Sequence, residues 1–387
     1  MEELLYRYNP WWEKAMNLEG IIERKKYLEK IIQFVQRKQI FFLTGLRRVG
    51  KTTLLKLLIK HLIEEREIPS RRILYISLDD YRLKETSLLE LVDHFRKLHS
   101  IPFEEKIFLF FDEITFQKNF EQQLKNLYDT QHVSVFASSS SASLLKGKKP
   151  FLTGRSQMLE ILPLDFDEYL EFKGIQHSKR DKHLLENDFE SYLQTGGIPE
   201  YVLNGDMEYL KELVDDLLMK DIVAYHGIRD PQIIKDFFLL LMERVGKQCS
   251  INKMANILSI SPDTARRYLE MFENIYLIYL MPRCGKTNER LLSSKKIYVA
   301  DLGIKNLFTG FRDKGAVFEN YIYLKIKDKN PCYLSQDGNE IDFLTNENTL
   351  IEVKYGREMG KKQQALFDQF PAKRKRIISS IHDLEEL

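Results

Sequence analysis

Gly45-Leu46-Arg47-Arg48-Val49-Gly50-Lys51-Thr52 fits the pattern G-x-x-x-x-G-K-[ST]. The apolar run Ile40-Phe41-Phe42-Leu43 precedes it and Leu54-Leu55-Lys56-Leu57-Leu58, with helical spacing, follows it. That order predicts a strand, a tight glycine turn and a helix start. Such a turn aims backbone N–H groups at phosphate oxygens, and the helix dipole adds positive potential. The pattern assigns Gly45, Leu46, Arg47, Arg48, Val49, Gly50, Lys51, Thr52 and Thr53 to a nucleotide, with Lys51 on the β- and γ-phosphates and Thr52 on Mg²⁺. A plain glycine turn joining a strand to a helix is the competing reading.

A second motif favours the phosphate loop. Ile107-Phe108-Leu109-Phe110-Phe111 is an unbroken apolar run, as expected of a parallel strand covered on both faces, and it ends in Asp112-Glu113. In that place Asp112 is a second Mg²⁺ contact, and Glu113 is the residue to polarise the water that attacks the γ-phosphate. ATP with Mg²⁺ is the expected cofactor. The apolar runs alternate with helix-like stretches from residue 40 to residue 137, the grammar of a parallel α/β sheet. Ser138-Ser139-Ser140-Ser141 then follows the strand at Val133–Ala137, a position where a polar group would sense the γ-phosphate. Which of the four hydroxyls points inward is open. Gly154-Arg155 offers Arg155 as an arginine finger, in cis or from a neighbouring subunit, against a surface arginine paired with a carboxylate.

The composition sets outer limits. At about 150 residues per domain, 387 residues allow two or three domains. A net charge of +2 excludes a global basic field, so nucleic-acid contact would need local patches. Cys249, Cys284 and Cys332 lack metal-ligand spacing, and three reduced, packed thiols are expected. The N-terminal sequence has no leader-like pattern and no apolar run approaches a membrane span, which predicts a cytoplasmic protein without membrane contact.

These motifs resemble those of the prokaryotic AAA+-type ATPases (AAA_14, STAND-like) that carry a C-terminal DUF4143 region. The residues concerned are Gly45 to Thr52, Phe111-Asp112-Glu113, the serine run before Leu144-Leu145, Gly154-Arg155, Pro163-Leu164 and Gly196-Gly197-Ile198-Pro199-Glu200, with the tail motifs below. The likeness spans nearly the whole chain. It departs from the family at Ser139, where a small glycine is usual. The resemblance implies an α/β P-loop NTPase core with a parallel sheet (1–175), a helical lid (176–235), a winged helix (236–295) and a restriction-endonuclease-like α/β domain (296–387). It also puts Ile21, Ile22 and Arg24 near the adenine.

In the second half, 250–270 reads as two short helices, the second with Ser261 as N-cap and Pro262 in its first turn. Read as helix-turn-helix, it sets Thr264, Arg266 and Arg267 against duplex DNA. Glu270 and Glu273 on the same helix favour packing or protein contact instead. Further on, Asp342 and Glu352-x-Lys354 have the D-x₉-E-x-K spacing of metal-dependent nucleases. Asp342 and Glu352 on paired strands, with Glu319 on a preceding helix, would make a second divalent-ion site and Lys354 the nuclease lysine. A fold kept for binding alone is the alternative. The expectation is thus an ATP-hydrolysing switch that engages DNA, a protein partner or a second copy of itself. An ATP-regulated nuclease and a nucleotide-loaded scaffold are the competitors.

Overall fold

The computed structural model describes residues 1–141, 152–177, 182–356 and 358–384. Leu144-Leu145 of the serine-run motif lies outside them. The chain divides into two compact units, Met1–Leu162 and Pro163–Leu387.

The first unit runs α1 (Glu2–Tyr8), α2 (Lys25–Ile32), β1 (Ile40–Thr44), α3 (Lys51–Glu64), β2 (Ile73–Ser77), α4 (Leu88–Leu98), β3 (Ile107–Asp112), α5 (Phe120–Thr130), β4 (Val133–Ser139) and β5 (Ser156–Glu160). Its strands form one sheet in the order β2-β3-β4-β1-β5, with every pairing parallel. Every residue of β1, β3 and β4 is buried, which is why Ile40–Leu43 in β1 and Ile107–Phe111 in β3 read as continuous apolar runs rather than alternating ones. Phe110 and Phe136 stack across β3 and β4 with ring centroids 5.2 Å apart, and each such ring contributes about 1.5–3 kcal/mol on leaving water. A capping box between Ser87 and Glu90 fixes the start of α4.

The register brings chemistry to one edge of the sheet. Thr44 pairs with Ser139 and Phe111 with Ala137, so the C-terminal ends of β1, β3 and β4 lie side by side. Polar residues placed just past those ends meet in space. β5 runs beside β1 from Ser156 to Glu160, and just past its end Ile161 N–H donates to the Thr44 carbonyl at 2.7 Å.

The second unit opens at Pro163, which moves the expected boundary at residue 175 upstream. It contains α6 (Phe166–Lys173), α7 (Lys182–Thr195), α8 (Pro199–Asn204), α9 (Met207–Asp216) running on as a π-helical stretch Leu217–Ala224, α10 (Pro231–Met242), β6 (Gln248–Cys249), α11 (Ile251–Ile257) and α12 (Pro262–Asn274). After these come β7 (Ile278–Met281), α13 (Thr287–Leu292), β8 (Lys295–Val299), α14 (Leu302–Thr309), α15 (Lys314–Ile326), β9 (Cys332–Gln336), β10 (Asn339–Leu344), β11 (Thr349–Val353), α16 (Lys361–Gln369) and β12 (Arg374–Ile378). The reason for the early boundary is tertiary: Leu164 N–H donates to the Gly197 carbonyl at 2.7 Å, and Phe166 packs on Phe189 and Tyr192.

Residues 176–235 and 296–387 interlock instead of forming separate bodies. The Asp301 carboxylate accepts Gly197 N–H at 2.6 Å and caps α14 by accepting Ile304 N–H at 2.9 Å. A Cβ at Gly197 would lie 2.1 Å from the Leu164 carbonyl oxygen, so the close approach demands glycine there. Two small sheets complete the unit. One has the antiparallel order β6-β8-β7, and the other the order β12-β11-β10-β9 with only β11 and β12 parallel.

The cysteines depart from expectation. Cys284 and Cys332 are joined in a disulfide and Cys249 is free and buried. The two partners stand 48 residues apart in sequence, too far for spacing to reveal them, but the segment after β7 lies beside β9, where Cys284 N–H donates to the Tyr333 carbonyl at 2.8 Å. Among the described residues no helix is long and apolar enough to cross a membrane.

Candidate functional site

The phosphate loop links β1 to α3. Gly45 and Gly50 have φ of +135° and +95°, and Arg48 has φ of 61°, so the backbone curls through the left-handed region three times in six residues. A Cβ on Gly45 would meet the Ile161 carbonyl oxygen at 2.2 Å. The first glycine is therefore required by β5 as well as by the turn. Lys51 Nζ lies across the loop, donating to the carbonyls of Gly45 at 3.0 Å and Leu46 at 2.8 Å. Thr52 and Thr53 are half-buried in the first turn of α3.

Asp112, at the end of β3, is buried and receives three hydroxyls. Thr52 Oγ1 donates to its Oδ2 at 2.7 Å, Tyr75 OH to the same oxygen at 2.9 Å, and Ser138 Oγ to Oδ1. Burial and the adjacent carboxylate push the Tyr75 phenol far above its ordinary value, so it stays a donor. Glu113 sits at φ 49°, a left-handed conformation uncommon for a side chain of its size. Ser140 holds its carboxylate, donating to Oε2 from the backbone N–H at 3.3 Å and from Oγ at 3.0 Å, while Glu113 N–H donates to Ser138 Oγ at 2.9 Å. The serine run thus divides its work: Ser138 fixes Asp112, Ser140 fixes Glu113, and Ser139 pairs with Thr115 at 3.3 Å. A hydroxyl and a carboxylate converging as Thr52 and Asp112 do are the hard oxygen donors that Mg²⁺ takes, so these residues fit the ion.

Two further candidates on this unit, Arg155 and Arg24, are placed as follows. Arg155 stands at the opposite end of the sheet: its carbonyl accepts Ile40 N–H at 2.8 Å, at the start of β1, and its guanidinium pairs with Asp129 at 3.1 Å. It cannot reach the phosphate loop in cis, since the full length of β1 lies between. Arg24, expected near the adenine, lies against the phosphate loop. It is 3% exposed and donates to the carbonyls of Val49 at 2.8 Å and Leu162 at 2.9 Å, bracing the loop from behind. Ile22 is half-buried nearby in sequence.

In the second unit, Ser261 caps α12 through Thr264 N–H at 3.1 Å, and the Thr264 hydroxyl lies 2.9 Å from Ser261 Oγ. Arg266 and Arg267 are exposed; Arg266 pairs with Asp263 at 3.2 Å, and Arg267 lies over the Tyr268 ring. A groove of about 450 Å³ beside this helix is lined by Arg266, Glu270, Glu273 and Arg290, among others.

The D-x₉-E-x-K residues are brought together as the spacing requires. The register Phe343↔Ile351 sets Asp342 opposite Glu352, and Val353 N–H donates to Asp342 Oδ2 at 2.9 Å. The sequence did not reveal three further members. Gln363, on α16, donates to Glu352 Oε1 at 2.6 Å; Tyr298 OH, on β8, donates to Glu319 Oε1 at 2.7 Å; and Lys296, two residues before Tyr298 on the same strand face, reaches Glu319 at 2.9 Å, Glu340 at 2.5 Å and Asp342 at 3.2 Å. The two-residue period of Lys296 and Tyr298 was the available signal. Lys354 pairs with Glu352 at 2.5 Å. Burial and the nearby Asp342 push Glu319 and Glu352 well above the ordinary carboxylate range. Among the described residues no three acidic, histidine or cysteine groups are disposed to hold a metal ion. The second divalent-ion site expected of Glu319, Asp342 and Glu352 is therefore not formed, because a lysine stands between two of them.

The sheet, the phosphate loop and the acid-tipped β3 define a P-loop domain of the AAA ATPase class, and a family model described as an AAA domain matches residues 37–170. A second, a domain of unknown function (DUF8612), matches residues 186–315, correcting the expected DUF4143 region. An uncharacterized protein of Methanocaldococcus jannaschii is 32% identical over 363 residues, covering 88% of this chain and 80% of that protein. The chain belongs to the family of that protein. An uncharacterized protein of Haemophilus influenzae is 28% identical over 349 residues, covering 85% and 84%. Among solved structures, AMPPCP-bound DnaA from Aquifex aeolicus is 18% identical with a TM-score of 0.30, covering 70% of this chain and 92% of that one. The Thermotoga maritima RuvB Holliday junction branch migration motor is 19% identical with a TM-score of 0.34, covering 70% and 94%. Neither likeness is close enough to assign a function.

Proposed function

We propose that the chain is a Mg-ATP-hydrolysing switch whose second unit engages duplex DNA. The observation that carries the nucleotide half is the meeting of Lys51, Thr52, Asp112, Glu113, Ser138 and Ser140 at the ends of β1, β3 and β4. In this reading Lys51 leaves the loop carbonyls for the β- and γ-phosphates, Thr52 and Asp112 hold the ion, and Glu113, positioned by Ser140, orients the attacking water. Mg²⁺ bound there neutralises charge on the phosphate oxygens.

The DNA half rests on α10, β6, α11, α12, β7 and β8, whose order and β6-β8-β7 sheet have the pattern of a winged helix, with Arg266 and Arg267 exposed on its second helix. Glu270 and Glu273 beside them favour a protein partner as the second reading. The test measures phosphate release by the full chain with Mg²⁺ and ATP, with and without duplex DNA, and duplex affinity across salt. Arg266→Ala/Arg267→Ala is expected to bind duplex more weakly and to flatten the logarithmic salt slope by about 2. Equal affinity and slope in both proteins would transfer the role to a protein partner.

A further inference from the structure

In the tail, three acids converge on a point where a divalent ion could sit, but that point is already taken by a side chain. Glu319 from α15 and Glu340 and Asp342 from β10 converge on one point, and that point is the ammonium of Lys296, 2% exposed, at 2.9, 2.5 and 3.2 Å. β8 delivers the lysine from the neighbouring three-stranded sheet, and Tyr298 on the same strand donates to the same Glu319 oxygen, Oε1, at 2.7 Å. Gln248 Nε2 takes the second oxygen of Glu340 at 2.8 Å, and Val353 N–H takes the second oxygen of Asp342 at 2.9 Å. Both oxygens of Glu340 and Asp342, and Oε1 of Glu319, therefore already have donors.

We propose that Lys296 is a built-in cation that occupies the place a divalent ion would take, so that the tail is a metal-independent surface held together by an internal ion pair network. Burial alone would lower the lysine's affinity for its proton, but Glu319, Asp342 and Glu340 outweigh it and keep the ammonium charged. A fixed charge on a strand gives the acids a partner that no chelator or change in ion supply removes. Two ions of like sign cannot share a cage this small, since unit charges about 4 Å apart repel strongly at protein dielectric. The inference is independent of the ATPase reading, because no P-loop residue takes part.

The experiment uses the nucleotide-free full chain and Mn²⁺ as the probe, titrated by electron paramagnetic resonance, in wild type, Asp342→Asn, Lys296→Met and Lys296→Met/Asp342→Asn. Wild type and Asp342→Asn should bind Mn²⁺ identically. Lys296→Met should gain one site at least about tenfold tighter than any in wild type, which the added Asp342→Asn removes. Mn²⁺ should also raise the melting temperature of Lys296→Met but not that of wild type. A wild-type protein that binds one more Mn²⁺ than Asp342→Asn would overturn the proposal, as would a folded Lys296→Met that gains none. If Lys296→Met does not fold, the comparison of wild type with Asp342→Asn decides alone.

Discussion

Thr52 Oγ1 donates to Asp112 Oδ2 across 2.7 Å, joining the first turn of α3 to the tip of β3. Tyr75 and Ser138 hold the same carboxylate, so one buried acid ties β2, β3, β4 and the phosphate loop together. Lys51 and Glu113 stand outside this knot and have separable roles. Lys51→Ala is expected to weaken ATP binding at least about tenfold by removing a charge-assisted contact to phosphate. Glu113→Gln should keep ATP bound and lower kcat by about a hundredfold or more, because it removes a base and leaves Asp112 in place. Arg155→Ala, at the far end of the sheet, should turn over ATP like wild type. Calorimetry with a phosphate-release assay checks all three, and ordinary turnover by Glu113→Gln would remove Glu113 from its role.

Ser140 is a positioning residue. Its N–H and hydroxyl both hold Glu113 Oε2, so Ser140→Ala loses one of two restraints on the base while leaving every phosphate contact intact. We expect kcat to fall by about three- to tenfold with KM unchanged, and Ser140→Thr to restore most of it. A change confined to KM would place the hydroxyl on the nucleotide instead.

The first unit was legible because its motifs are local. β1 and β3 read as apolar runs since both faces are covered. The serine run was legible as a sensing position but not in its division of labour, because which hydroxyl faces Asp112 depends on the β1–β4 register. Arg155 stayed open between a finger and a surface arginine for the same reason: sequence gives its neighbours but not the end of the sheet it occupies, where it pairs with Asp129. In the second unit, Asp342, Glu352 and Lys354 were found by spacing, whereas Lys296, 46 residues before Asp342, joins them only through tertiary packing. The Cys284–Cys332 bond is likewise a long-range fact, as are the contacts of Leu164 and Phe166 that set the boundary at Pro163.

Asp301 supplies a pH test of the second unit. Burial pushes its carboxyl from 3.8 up to about 6, against the pull of backbone donors that include Gly197 and Ile304. A raised folded value means that the folded state holds the proton more tightly. Its stabilising effect is therefore complete below about 3.8 and lost as pH rises through about 6, a change on the order of 3 kcal/mol. Asp301→Asn does not titrate, so its melting temperature relative to wild type should climb between pH 4 and pH 7, on the order of several degrees. A difference that stays flat or falls would show that the backbone donors keep Asp301 ionised throughout.

Lys354 distinguishes a structural acid pair from a catalytic one. Glu352 is fully buried and receives Lys354 at 2.5 Å, Gln363 Nε2 at 2.6 Å and Asp342 N–H at 3.2 Å. Burial and Asp342 raise the Glu352 carboxyl to about 8 even with Lys354 beside it, so only above that pH does removing the lysine leave a buried carboxylate with hydrogen bonds but no countercharge. At a pH above about 8, Lys354→Ala should therefore destabilise the second unit by about 3 kcal/mol, and Glu352→Gln in the same chain should recover most of that loss, because the double variant has no uncompensated charge. Denaturant titration of the four proteins in this cycle measures the coupling. ATP turnover should not change in any of them, since the P-loop residues lie in the other compact unit. Supercoiled plasmid incubated with wild type and Mg²⁺ or Mn²⁺ should stay intact, as expected of acids already paired with Lys296 and Lys354. Metal-dependent cleavage that vanishes in Asp342→Ala would mean that these acids serve an ion after all, and that the lysine pairs seen here give way to it.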